Sequence, residues 1–150
     1  MSTNYYFRVS EGPLAACAPL HIGKTSGGWQ FHFQGYLEEG GLKTLEVSRL
    51  GALHIQVLVP RLMIRSLDDW LEFLDTTPGV ILNEYGEELP VERFKQLVRS
   101  HGPGCATAAG KPLTNHVDYL ASNASVYGPV NVNKDWKDPQ GYAFTAVEFS

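Results

Sequence analysis

The sequence is poor in several features, and each shortage removes a class of protein. Only two of 150 residues are cysteine, Cys17 and Cys105, and no CxxC pair occurs. That spacing supplies neither a zinc site nor a disulfide framework. Two free, partly buried thiols are expected, as in a reducing cytoplasm. Basic residues are outnumbered, with 12 Lys and Arg against 16 Asp and Glu, a net charge of −4. A protein that holds nucleic acid by bulk charge is basic, so this balance argues against one. It is also too mild for a mimic of DNA. No long hydrophobic run is present. The most apolar stretch, Leu50 to Met63, is broken by His54, Gln56, Pro60 and Arg61 and is too short to span a bilayer. The first residues, MSTNYYFR, lack a basic segment followed by an apolar one, so no secretory signal is expected. These absences together predict a soluble, cytoplasmic protein with no membrane partner.

What the chain does have is turn-forming residues, with 15 Gly and 9 Pro, and a hydrophobic fraction of 43%. That composition suits one globular domain of short elements joined by many turns. NYYFRV (4–9) reads as a strand. Trp29, Phe31 and Phe33 alternate with Gln30, His32 and Gln34, the period of a half-buried strand. LKTLEVSRL (42–50) and LHIQVLVP (53–60) read as two strands around Gly51. Ser66 is a natural N-cap for a helix whose Leu67, Trp70, Leu71 and Leu74 form one stripe. Val80 to Leu82 is a short strand, and NEYGEE (83–88) a turn. A second helix runs from about Pro90, placed at its first helical position, to Arg99, with Val91, Phe94, Leu97 and Val98 on one face. Residues 102–134 are rich in small and turn-forming residues and predict a long loop or insertion, with one short helix near His116–Ser122. The last stretch alternates, with Tyr142 and Phe144 on one side and Thr145, Val147 and Phe149 on the other. The pattern predicts a single domain over 1–150, of α+β class, with a mainly antiparallel sheet and two short helices packed on one face.

Several of these pieces, TNYYFR, HIGKTSGGWQF, SLDDWLEFL, VILNEYGEEL and DPQGYAFTAVEFS, resemble a set of small phage and prophage proteins of uncharacterised function. The HIGKxSxGW and GYxFxxxEFS pieces are the specific ones. The resemblance covers most of the chain apart from about 102–134 and implies a phage or mobile-element origin. In that family a pair of cysteines often precedes the HIGK motif, which implies a small metal knuckle. Here SEGPLAACAPLHIGK holds only Cys17, so the metal does not carry over. The resemblance brings no catalytic assignment.

The stretch HIGKTSGGW (21–29) is the candidate site. Its GKTS invites a phosphate-loop reading, but such a loop needs glycine-rich backbone before the lysine and a helix after it. Here CAPLHIG precedes and a strand follows. A hairpin turn closed by Thr25, Ser26, Gly27 and Gly28, with Ile22 and Trp29 as core anchors, accounts for the residues structurally. The polar content adds a second reading. Turn amides, the two hydroxyls, Lys24 and His21 form an anion-binding concavity. The candidate ligand-binding residues are therefore His21, Lys24, Thr25, Ser26, Gly27, Gly28, Trp29 and His32. His21 and His32 lack a third metal ligand, so no metal and no cofactor are expected. The carboxylates Glu84, Glu87 and Glu88 read as a solvated turn ahead of a helix N-terminus, where acidic residues are favoured. Neither cysteine has a visible His and Asp neighbourhood, and Ser26 lies in no nucleophile elbow.

Three functions remain, in this order. The first is a non-catalytic phage or prophage accessory protein that binds a small anionic, nucleotide-like ligand or a host protein. The second is a homo-oligomeric interaction module built on the strands between Leu42 and Pro60. The third is a metal-assisted hydrolase of a phosphorylated substrate, with His21 as acid or base, Lys24 stabilising charge and Glu84 holding the metal.

Overall fold

The computed structural model describes residues 2–149. Fifteen elements follow in order: β1 (Ser2–Val9), β2 (Leu20–Ser26), β3 (His32–Gln34), β4 (Tyr36–Leu37), β5 (Leu42–Leu50), β6 (Leu53–Pro60), β7 (Met63–Ile64), α1 (Leu67–Thr76), β8 (Gly79–Asn83), β9 (Glu88–Leu89), α2 (Val91–Ser100), α3 (His116–Ser122), α4 (Ala124–Tyr127), β10 (Asp135–Lys137) and β11 (Ala143–Thr145). A 3₁₀ turn at Pro13–Ala16 joins β1 to β2. Seven strands make one sheet in the order β10-β11-β3-β2-β1-β8-β9. Every pairing is antiparallel except β11 with β3. The fold is α+β with short helices and a mainly antiparallel sheet.

One face of this sheet is the core. Phe7, Ile22, Phe31, Phe33, Ile81 and Phe144 are buried there. Helices α1 and α2 lay their apolar stripes on them through Trp70, Leu74, Phe94 and Val98. The α1 cap forms as the sequence predicts: Ser66 Oγ accepts from the Asp69 amide at 3.1 Å. A carboxylate completes that end, since Asp138 Oδ2 accepts from the Leu67 amide at 2.8 Å. The buried Trp70 indole donates to the Gln34 carbonyl at 2.9 Å, so no polar atom of that ring is lost to the core. Pro90 sits one position earlier than expected. It is the N-cap of α2, with ψ 146°, and its carbonyl accepts from the Phe94 amide.

The opposite face of the sheet is polar yet also buried. Asn4, His21, His32, Gln34 and Thr145 are each less than 9% exposed on it. A local irregularity builds this face. In the β1–β2 ladder Tyr5 pairs with Gly23 and Tyr6 with His21, so Ile22 is an extra residue. Without it His21 and Lys24, three apart, would point to opposite faces. The bulge sends Ile22 into the core and leaves His21 and Lys24 on one side. Gly23 is required at this point. A Cβ there would fall on the His32 carbonyl oxygen and lie 2.6 Å from the Phe31 ring. The expected turn begins later than read, because Thr25 and Ser26 remain in β2 and the chain reverses at Gly27 and Gly28, with the Trp29 amide donating to Ser26 O. The expected strand from Trp29 is shorter too. Gln30 and Phe31 bond instead to Thr114 and His101, which pulls the 102–115 segment against the sheet.

The β5–β6 hairpin stands apart as its own two-stranded sheet. Strands β4 and β7 pair at its base.

Candidate functional site

On the polar face lies a pocket of about 350 Å³. Strand β2 contributes Lys24 and Ser26, and the segment into β3 contributes Trp29, Gln30 and His32. Helix α3 contributes His116, and the chain from β11 onward contributes Thr145, Glu148 and Phe149. Helix α3 is fixed by its N-cap. Asn115 Oδ1 accepts from the Val117 and Asp118 amides, while its Nδ2 donates to Gln30 Oε1 and Gly141 O. One side chain thus starts the helix and ties it to both neighbouring segments.

His32 is the centre of the arrangement. Its ring is stacked with His116 (centroids 4.2 Å apart) and with Phe149 (4.3 Å, 8° between planes). Its Nε2 lies 2.7 Å from Thr145 Oγ1. The Thr145 hydroxyl donates its only proton to Asp135 Oδ1, so Nε2 of His32 carries the hydrogen and donates to Thr145. Burial, reinforced by His116, Lys24 and His21, pulls the His32 pKa down to about 3. The ring is neutral at pH 7. Burial also lowers His21 and His116. Phe149 also meets His21 edge-on at 4.7 Å and has the Lys24 ammonium 5.5 Å from its centroid.

The eight residues predicted from HIGKTSGGW and its strand do not form one site. Lys24, Ser26, Trp29 and His32 line the pocket. Thr25, Gly27 and Gly28 line a different cavity of about 390 Å³, shared with Ser26, Ser100, His101 and Thr107. His21 sits behind Phe149, with its Nε2 2.9 Å from Asn4 Oδ1. Trp29 does not anchor the turn to the apolar core; it packs on Tyr119 and His116. No family model matches the chain, and no curated protein or solved structure does either. The site therefore rests on its geometry.

That geometry adds residues the sequence did not single out for the site, namely His116, Thr145, Glu148 and Phe149. A signal existed for two of them. The alternation of the last stretch puts Thr145 and Phe149 on one side, and the parallel register of β11 on β3 makes it the His32 side. Glu84 lies elsewhere, with its carboxylate accepting the Asn4 amide at 2.9 Å. Among the described residues no three His, Cys, Asp or Glu side chains converge as metal ligands, and no helix is long and apolar enough to cross a membrane.

Proposed function

We propose that this chain is a non-catalytic accessory protein, of the phage or prophage type its motifs resemble, that binds a small anionic ligand carrying a planar ring. One observation carries this reading: Lys24 and Ser26 stand on the wall of a pocket that also presents the rings of Trp29, His32, His116 and Phe149. Lys24 is the only lysine or arginine among the described lining residues, and burial lowers the pKa of both histidines there. A phosphate or carboxylate group is drawn to the Lys24 side. Glu148, also in the lining, repels an anion and favours a ligand edge that donates hydrogen bonds. A nucleotide offers both ends. His32 supports binding over catalysis: a base with a pKa near 3 takes up protons poorly at neutral pH.

Titration calorimetry with purified nucleoside monophosphates, with inorganic phosphate as the minimal anion, tests the proposal. Saturable binding of a nucleotide is expected, with Lys24→Ala weakening it about tenfold or more, the equivalent of about 1.4 kcal/mol. Absence of heat and of any thermal shift with every nucleotide, together with no small molecule released from the denatured protein, would overturn it.

A further inference from the structure

The β5–β6 hairpin carries more exposed aliphatic surface than the rest of the described chain, and its register shows that the surface is one-sided. Leu50 pairs with Leu53, Ser48 with Ile55, Leu45 with Val57 and Lys43 with Val59. Cross-strand partners share a face, so these residues line one side. Val47 is the extra residue where the ladder shifts between Glu46 and Ser48, and a bulge places its side chain beside that of its successor. The other side is mainly polar: it carries Thr44, Glu46, Arg49, His54 and Gln56, with Leu58 opposite Thr44, and His54 is bonded to Glu46 at 3.0 Å. The hairpin is an amphipathic ribbon whose apolar side faces solvent. Leu45, Val47, Leu50 and Leu53 are 48–65% exposed and Ile55 and Val57 about 40%.

A ribbon of two strands is marginal in water on its own and becomes stable when its apolar face is packed. We propose that the occupant is a second copy of this chain, with the apolar faces of two hairpins packed about a two-fold axis into a four-stranded sandwich. Two features select a copy over an unlike partner. The face has no charged residue between Lys43 and the turn, so it complements itself and offers nothing for an oppositely charged partner to read. The area also fits. Six side chains at these exposures present on the order of 500 Å² of aliphatic surface, near the top of the ~300–600 Å² found for the largest patch on a monomer. Two such faces together bury on the order of 1,000 Å², the lower end of a specific interface.

The test is light scattering on the full chain over a concentration series, with Leu45→Asp/Val57→Asp as the disrupting variant and Thr44→Asp, on the opposite side, as the control. The expected result is a species of twice the 16.6 kDa chain mass. It should persist in the control and fall to monomer in the double variant. Unchanged near-ultraviolet circular dichroism confirms that the body is folded in both. A wild-type chain that stays monomeric at about 100 μM, or a dimer that survives the double variant, overturns the proposal. So does a monomer that instead binds neutral phosphatidylcholine vesicles, since lipid would then be the occupant.

Discussion

Two hairpins in this molecule are built alike and used in opposite ways. The β2–β3 hairpin and the β5–β6 hairpin are each rich in branched or aromatic residues, and each contains a strand bulged by a single hydrophobic residue, Ile22 of β2 against β1 and Val47 of β5 against β6. In the first, the bulge drives Ile22 into the core and gathers His21 and Lys24 onto the face that holds the pocket. In the second, the bulge adds one more aliphatic group to a face that meets solvent. The strand pattern is the same. What differs is what the fold lays against each side: α1 and α2 cover one side of β2–β3, α3 and the last residues cover the other, and the apolar side of β5–β6 stays exposed at Leu45, Val47, Leu50, Leu53, Ile55 and Val57.

The largest expected effects lie in the first hairpin. Phe33→Ala removes a fully buried ring stacked 4.9 Å from Phe144 and should cost about 3–5 kcal/mol in denaturant unfolding. Gly23→Ala, whose new methyl has no room, should cost about 3 kcal/mol or prevent folding. The matching change in the second hairpin, Gly51→Ala, meets open space and only a left-handed φ of +60°. It should cost about 1–2 kcal/mol, seen locally by hydrogen exchange and not in the melting of the body. Equal losses at Gly23 and Gly51 would dissolve the contrast.

Acid should weaken the body next. A depressed histidine pKa means that the unfolded chain takes up protons that the folded one refuses. Stability is then full above about pH 6.5, the ordinary histidine value, and falls as pH drops toward 3. His32 alone should contribute about 1.4 kcal/mol per pH unit in that window, with His21 and His116 acting in the same direction. Urea melts of the wild type and His32→Asn across pH 4–7 check this. The variant should show a flatter profile, and an unchanged slope would remove His32 as the cause. Asn115→Ala should cost about 1–2 kcal/mol and loosen the α3 wall, read as lost protection of the Val117 and Asp118 amides. The smallest effect belongs to the exposed ribbon. Val57→Ser should change unfolding of the dilute chain by less than about 0.5 kcal/mol, an order below Phe33→Ala although both sit in strand centres.

The sequence yields much of this unevenly. The Ser66 cap and its Leu67, Trp70 and Leu74 stripe, the strands 42–50 and 53–60, and the short helix at 116–122 are all local patterns, and the structure places them where the residues put them. The site is legible only in half. Lys24, Ser26, Trp29 and His32 lie within nine residues and line the pocket together. His116 reaches it from α3, tied down by Asn115, and Thr145, Glu148 and Phe149 reach it through a parallel pairing that no local period announces. Ile22 as a bulge was also illegible, because HIGK looks like an ordinary approach to a turn until the β1 register is known. Trp29 was misplaced for a related reason: its alternation with Phe31 and Phe33 suggested the core, while Thr114 and His101 take over the pairing there.

The hydroxyl of Thr145, by spending its proton on Asp135, settles more than one bond. It leaves the His32 ring with Nδ1 as a bare lone pair, so that corner can receive a hydrogen and has none to offer. On the reading proposed above, a guest would turn a hydrogen-bearing edge toward the imidazole and its oxygen-rich end toward the ammonium of Lys24. The cavity is a polarised berth, and a molecule reversed end for end would find the wrong partner at both.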